Sequence, residues 1–321
     1  MKGKIALLIL IGTHFVLAET QNQGKDIDPL YYGSCDTPNF VMRWQYQYFC
    51  DHVYDPRVDI WRWPTDEDHG VTFNPNDVRP GDTIFVRMFP EFFKEMHPKI
   101  KHPYIVVSAG ECLDKMEDEY KQYLDEEKVI AWFGIHANQM AVDHPKFHPI
   151  PIGILQDPYF YTHRDRLNKD FKRFRTKTKK EYLVYMNFAY AGKPERKKLR
   201  KRFLDEPYCK HGERQEFKDY LREMAQSCFT LSPEGLGPDC YRTWEALLVG
   251  SIPVVKRSQL DPLYEELPVV IVDSWDEVTQ EFLEEAYIKI ASKKYDIKRL
   301  YADYWTDQIK EVQSQFREGR R

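Results

Sequence analysis

Residues 228–256 read CFTLSPEGLGPDCYRTWEALLVGSIPVVK. Four pieces follow one another here. An apolar run (228–231) has the length of a buried strand, and 232–239 is rich in Gly and Pro. Residues 240–249 have helical composition, and the apolar run Ile252-Pro253-Val254-Val255 reads as a second buried strand of a parallel sheet. Strand, glycine loop, helix start, strand is a layout that brings backbone N–H groups and a positive dipole end to one place. Arg242 and Glu245 are spaced i, i+3, so they share a helical face. A guanidinium on that face suits phosphate, and a carboxylate suits sugar hydroxyls. An ordinary surface ion pair is the plainer reading of the same two residues.

The pattern resembles the nucleotide-sugar segment of the exostosin-like glycosyltransferases. It rests on Leu231-Ser232-Pro233, Gly235, Gly237, Arg242-Thr243-Trp244-Glu245-Ala246 and Gly250-Ser251-Ile252-Pro253-Val254. The resemblance is specific over about thirty residues and looser from 181 to 275. It implies a GT-B fold: α/β, with two Rossmann-like domains whose parallel sheets face a central cleft, the C-terminal domain holding a UDP- or GDP-linked sugar. It implies transfer to a glycan or glycoprotein acceptor without a metal or other cofactor. It also implies that a terminal helix crosses back onto the first domain.

Working outward, strand-like runs alternate with helical ones on both sides of this segment. Strands are expected at 83–87, 104–108, 129–133 and 148–154, with helices at 90–96 and 113–126 between them. A second series begins with EYLVYMN (181–187), followed by helices at 194–203 and 214–225. The run 269–272 is a further strand and 276–290 a further helix. Residues 19–80 are aromatic and Pro-rich with weak periodicity, and predict irregular structure around one short helix near 43–50. Trp61 and Trp63 there suit either packing or sugar stacking. The domains expected are 19–155 on the acceptor side, a basic linker at 156–180, 181–296 on the donor side, and a C-terminal helix at 297–321. The linker's charges read as a solvated face or as a basic wall beside the donor.

Ligands of open α/β sheets gather at the C-terminal strand ends. In the second domain that rule selects Asn187 and Lys193 after the first strand, then Ser232, Glu234, Gly235, Gly237 and Asp239, with Arg242, Thr243 and Glu245 on the helix. Lys256 and Arg257 follow the next strand. An inverting transfer needs a base across the cleft. Glu111 and His136 are the candidates, with Asn138 beside them, and a retaining transfer would need none. No Asp-x-Asp stands at a strand end, and Asp66-Glu67-Asp68 reads as an exposed turn.

The chain has 321 residues, 42% of them hydrophobic, and a net charge of −4. That length accommodates two domains, and the charge gives no footprint for nucleic acid. Mean hydropathy of −0.65 excludes a polytopic membrane protein. Lys2 and Lys4 precede an apolar run at 5–17, and Val16-Leu17-Ala18 has the form of a cleavage site. Residues 1–18 are therefore expected to be a signal peptide, with an uncleaved anchor as the alternative, and the body to lie in the Golgi or endoplasmic reticulum lumen or to be exported. Six cysteines are then free to oxidise; Cys35–Cys50 and then Cys209–Cys240 are the pairs expected, and buried free thiols are the other reading of the same residues. A non-catalytic carbohydrate- or nucleotide-binding protein that keeps the fold is the alternative function. A dehydrogenase would require GxGxxG after the first strand of a nucleotide domain, and none stands after 129–133 or 181–187.

Overall fold

The computed structural model describes residues 8–11, 14–17, 31–32, 40–55, 73–109, 116–155, 164–189 and 193–319. Glu111, Trp61, Trp63, Asp66–Asp68, Cys35 and Cys112 lie outside them. Within the expected leader, Leu8–Ile11 pairs antiparallel with His14–Leu17. Among the described residues no helix is long and apolar enough to cross a membrane.

Two five-stranded parallel sheets form the body. The first joins β1 (His52–Tyr54), β2 (Asp82–Val86), β3 (Tyr104–Ser108), β4 (Val129–Gly134) and β5 (Phe147–Pro149) in that order. Their interior runs, such as YIVVS and VIAWFG, are buried at every position. That is what a sheet covered on both faces demands. Helices α1 (Phe89–Glu95), α2 (Lys121–Asp125) and α3 (Gln139–Asp143) lie between its strands. Sequence periodicity overlooked β1, which is only three residues long and follows the 3₁₀ helix Arg43–Phe49. It also drew the last strand of this domain to 154; pairing stops at Pro149, because Pro149 and Pro151 lack the N–H a ladder needs.

The second sheet has the order β7-β6-β8-β9-β10, all parallel: β6 (Tyr182–Met186), β7 (Cys209–His211), β8 (Ser227–Leu231), β9 (Ile252–Lys256) and β10 (Val270–Val272). The chain steps one way from β6 to β7, then back across to β8. This reversal opens a crevice at the C-terminal ends of β6 and β8. The first sheet runs in simple sequence and has no such reversal. Helices α5 (Pro194–Phe203) and α8 (Gln280–Ala291) share one apolar cluster with the sheet, through Leu199, Phe203, Leu283 and Ile290. Helices α6 (Phe217–Ala225) and α7 (Tyr241–Val249) contribute to another. The helix expected from 214 starts at Phe217, where the preceding Glu216 is still in extended conformation.

That other cluster is continuous with the core of the first domain. Leu221, Met224 and Leu247 belong to the same apolar body as Phe92, Val106 and Trp132. The domains thus share one apolar core along one side, and on the other a cavity lies between them where the resemblance implies a cleft. Helix α4 (Arg164–Lys177), at the end of the expected linker, packs into this body through Leu167, Phe171 and Phe174. Among the described residues, Arg175 Nη1 donates to Leu248 O (2.9 Å), and Lys180 Nζ, beyond the end of this helix, donates to the carbonyls of Ala225, Ser227 and Gly250. These charges sit at the negative, C-terminal ends of α6 and α7.

The C-terminal helix α9 (Ala302–Arg317) returns to the first domain, where Gln313 Nε2 donates to Asp51 and to Gly81 O, and Arg317 reaches Asp82. The stretch from Phe40 to Met42 is stitched between the two ends of this architecture. Val41 N donates to Leu300 O, and Ile154 N donates to Val41 O. Gly153 crosses Val41 with φ of +71°, and a Cβ there would lie 2.0 Å from Val41 O. Gly153→Ala is therefore expected to destabilise the protein by about 2 kcal/mol or more, from left-handed backbone and forced separation together. Urea unfolding midpoints of the two proteins check this.

Candidate functional site

A cavity of about 620 Å³ opens at the β6/β8 reversal and extends to the first domain. From the second domain it is lined by Asn187 and Phe188 after β6, by the 213–217 segment after β7, and by Gly235–Gly237 and Asp239–Arg242 after β8. His136, Ile152 and Leu155 close it from the other side.

Helix α7 sets the geometry. Every residue from Thr243 to Val249 is buried, because the helix lies between its own sheet and the first domain. Gly250 ends it in the left-handed conformation (φ 77°). The start of the helix faces the cavity. Asp239, just before it, is 3% exposed and accepts from Trp244 Nε1 (2.9 Å) and from the backbone N–H of Ile152 (2.8 Å). Burial pushes the Asp239 carboxyl up to about 6, against the pull of those N–H donors and that of Cys240. Glu245, also buried, accepts from Tyr220 Oη (2.8 Å) and from Leu155 N (3.1 Å), and burial raises its carboxyl too. Both acids thus clasp the 152–155 connection. The ion pair with Arg242 is not formed, and the role of free sugar acceptor expected for Glu245 meets a carboxylate already engaged at both oxygens.

Arg242 turns the other way. Its Nε donates to Asn187 O (2.9 Å), its guanidinium carbon lies 5.4 Å from the Phe188 ring centroid, and its buried Nη1 makes no hydrogen bond. Arg196, on the first turn of α5, approaches the same ring at 5.6 Å. Arg196 also donates to the carbonyls of Ala189, Pro233 and Glu234, and so holds the glycine loop in place. Burial and the Arg242 charge lower its pKa. Two like charges around one ring make a site that favours an anion.

The remaining sequence candidates divide. Gly235 packs against Arg196 and Cys240, and Gly237 against His136, whose Nδ1 lies 2.3 Å from where a Cβ would stand on Gly237. His136 is 4% exposed and has φ of 55°, a conformation uncommon outside glycine. Asn187 lines the cavity, with its amide donating to Tyr185 Oη and Glu213 O. Ser232 and Thr243 do not line it; their hydroxyls bond each other (2.9 Å) and fasten the loop to the helix. Glu234 has an exposed side chain and Lys193 precedes α5, and neither is part of the wall. Asn138 caps α3 by accepting from Ala141 N. Lys256 and Arg257 pair with Glu195 and Asp273. Cys209 and Cys240 are free thiols, Cys209 on β7 and Cys240 hydrogen-bonded to Pro233 O, so the expected pairing is corrected. Arg196, Phe188 and Tyr220 were missed. Arg196 was legible as a cation in the first turn after β6; Tyr220 carried no sequence signal. Among the described residues no group of three or more His, Cys, Asp or Glu is placed to hold a metal ion.

Two five-stranded parallel sheets, with a cavity at the switch point of the second, make the two-domain α/β architecture that the sequence resemblance implies. Residues 204–317 match the family model described as the RXYLT1 C-terminal domain, an exostosin-like glycosyltransferase family, and this span contains α7 with Arg242 and Glu245. The exostosin-like resemblance of the glycine-loop segment therefore stands. Comparison with curated proteins gives no match. Among solved structures, a GtfA/B complex is 14% identical with a TM-score of 0.37, over 74% of this chain and 59% of that one. The pneumococcal O-GlcNAc transferase GtfA, solved with UDP and GlcNAc, is 14% identical with a TM-score of 0.34, over 76% and 57%. AviGT4, a glycosyltransferase of avilamycin A biosynthesis, is 12% identical with a TM-score of 0.33, over 82% and 97%. The chain spans less than two thirds of the first two.

The Asp239 shift gives a signed expectation. A carboxyl whose folded pKa is raised contributes stability that is present below the unfolded value, near 4, and is lost as pH rises through about 6. Asp239→Asn removes this titration along with an acceptor. The stability advantage of the native protein over this variant is expected to narrow between pH 4 and pH 7, as read by urea unfolding at each pH.

Proposed function

We propose that this protein transfers a sugar from a UDP- or GDP-linked donor to a glycan or glycoprotein acceptor in the lumen of the secretory pathway. The observation that carries the proposal is Arg242: a cation at the start of a buried helix, on the cavity wall at the sheet's switch point, with a guanidinium nitrogen that the protein leaves without a hydrogen bond. A diphosphate supplies the missing acceptor. The backbone N–H groups at the start of α7 and the Arg196 charge add to the same field. When the bond from the sugar's anomeric carbon to the diphosphate oxygen breaks, the electron pair leaves with the nucleotide, and this field stabilises it. The charge work is assigned to these groups without a metal, so transfer is expected to persist in chelator.

His136 is assigned as the base that takes the proton from the acceptor hydroxyl. It faces the donor loop from the first domain, and the absence of a side chain on Gly237 lets it approach. The expected product is then of inverted configuration. The lumenal placement rests on the basic-apolar leader at 1–18.

Arg242→Ala is expected to weaken UDP or GDP binding about 10- to 100-fold in isothermal titration, the worth of a lost charge-assisted bond pair, with an unchanged circular dichroism spectrum. Undiminished nucleotide binding by that variant would refute the assignment. His136→Ala is expected to keep nucleotide affinity and lower kcat by roughly 10²–10⁴ in a nucleotide-release assay with acceptor. A native protein that binds neither nucleotide would instead be the non-catalytic relative of this fold.

A further inference from the structure

A second cavity, of about 220 Å³, lies where both domains meet the C-terminal helix. The first domain contributes Phe133 at the end of β4 and His148 on β5, whose rings stack with centroids 4.6 Å apart. The second domain contributes Leu263 and Glu265, and α9 contributes Tyr304 and Trp305. One cation stands among these walls. The Arg299 guanidinium carbon lies 5.1 Å from the Tyr304 ring centroid and 5.9 Å from that of Trp305.

The hydrogen bonding of Arg299 is incomplete. Nη2 meets Glu265 Oε2 at 3.2 Å, Nη1 reaches Pro262 O only at 3.5 Å, and the buried Nε has no partner. Its side chain is 13% exposed while that of Glu265 is 70% exposed. An exposed carboxylate on a nearly buried guanidinium is a weak counter-ion, held by little beyond the contact itself. Glu266, next to it, sits in the left-handed region at φ 62°, a conformation that carries strain outside glycine. The cavity therefore presents an aromatic and aliphatic shell, room for about one ring, and a cation whose present partner is replaceable.

We infer that this junction is a second ligand site, for a small organic carboxylate with a flat apolar body. The ligand's carboxylate takes the place of Glu265 on the Arg299 fork in bidentate geometry. Its body lies among Phe133, His148 and Trp305, where burial of apolar surface supplies the remaining affinity. The site is separate from the nucleotide-sugar reading and does not rest on it. Because its walls come from both domains and from α9, occupancy fastens these elements to one another.

The test uses the full chain with benzoate as the probe and benzamide, its neutral isostere, as the control, read by thermal shift and isothermal titration. Benzoate is expected to raise Tm in a concentration-dependent way and benzamide to have little effect. Arg299→Met is expected to lose at least about tenfold in benzoate affinity. Glu265→Gln removes an exposed competitor without disturbing the core and is expected to tighten benzoate binding about two- to fivefold. Arg242→Ala should leave the benzoate response unchanged, which tells this cavity from the larger one. No response to benzoate, an equal response to benzamide, or unchanged affinity in Glu265→Gln would each overturn the inference, and the last holds even if Arg299→Met fails to fold.

Discussion

The burial of α7 between its own sheet and the neighbouring domain governs the rest of this structure. A helix enclosed on all sides has no water to satisfy its termini or its polar side chains, so protein groups must do so. At its C-terminal end Arg175 and Lys180 bond the carbonyls of Leu248 and Gly250. On its flank Glu245 takes the N–H of Leu155, and Asp239, just before it, takes that of Ile152. A buried anion lacking such donors would cost several kcal/mol, and here the same bonds tie the first domain to the second. The buried side-chain atom of this helix left without a hydrogen bond is Arg242 Nη1, near the N-terminal end, and there the cavity lies.

This division of labour explains why neighbouring polar residues behave so differently. Arg242 and Glu245 are one turn apart, and sequence logic treats them as a functional pair. The structure sends the acid toward the interdomain connection and the cation toward Asn187, Phe188 and the cavity. Ser232 and Thr243, both short hydroxyls near the glycine loop, bond each other. Arg196, one element away in sequence, supplies both a charge at the site and the hydrogen bonds that shape the loop.

The sequence made the second sheet legible because its strands are uninterrupted apolar runs and its punctuation is strong. Pro194 opens α5, Gly250 closes α7, and the Arg-x-x-Glu helix follows its loop at fixed spacing. It concealed β1 and β7, which are three residues each and are recruited by their neighbours rather than by pattern. It also concealed the pairing of donors with acceptors across the chain. Nothing local distinguishes an Asp that meets a phosphate from one that meets the N–H of Ile152, 87 positions away. His136 was found because it ends a strand, yet its approach to the loop depends on Gly237, and neither residue announces the other.

The shared core has a mechanical corollary. Many two-domain proteins admit large ligands by swinging their halves apart about a hinge. Here Leu221, Met224 and Leu247 belong to one continuous apolar core with Phe92 and Trp132, so such a swing would open apolar surface to water. The cavity then keeps its two-domain walls together, and the side chain that stands out from its lining is Leu236, set between Gly235 and Gly237 with 60% of its surface exposed.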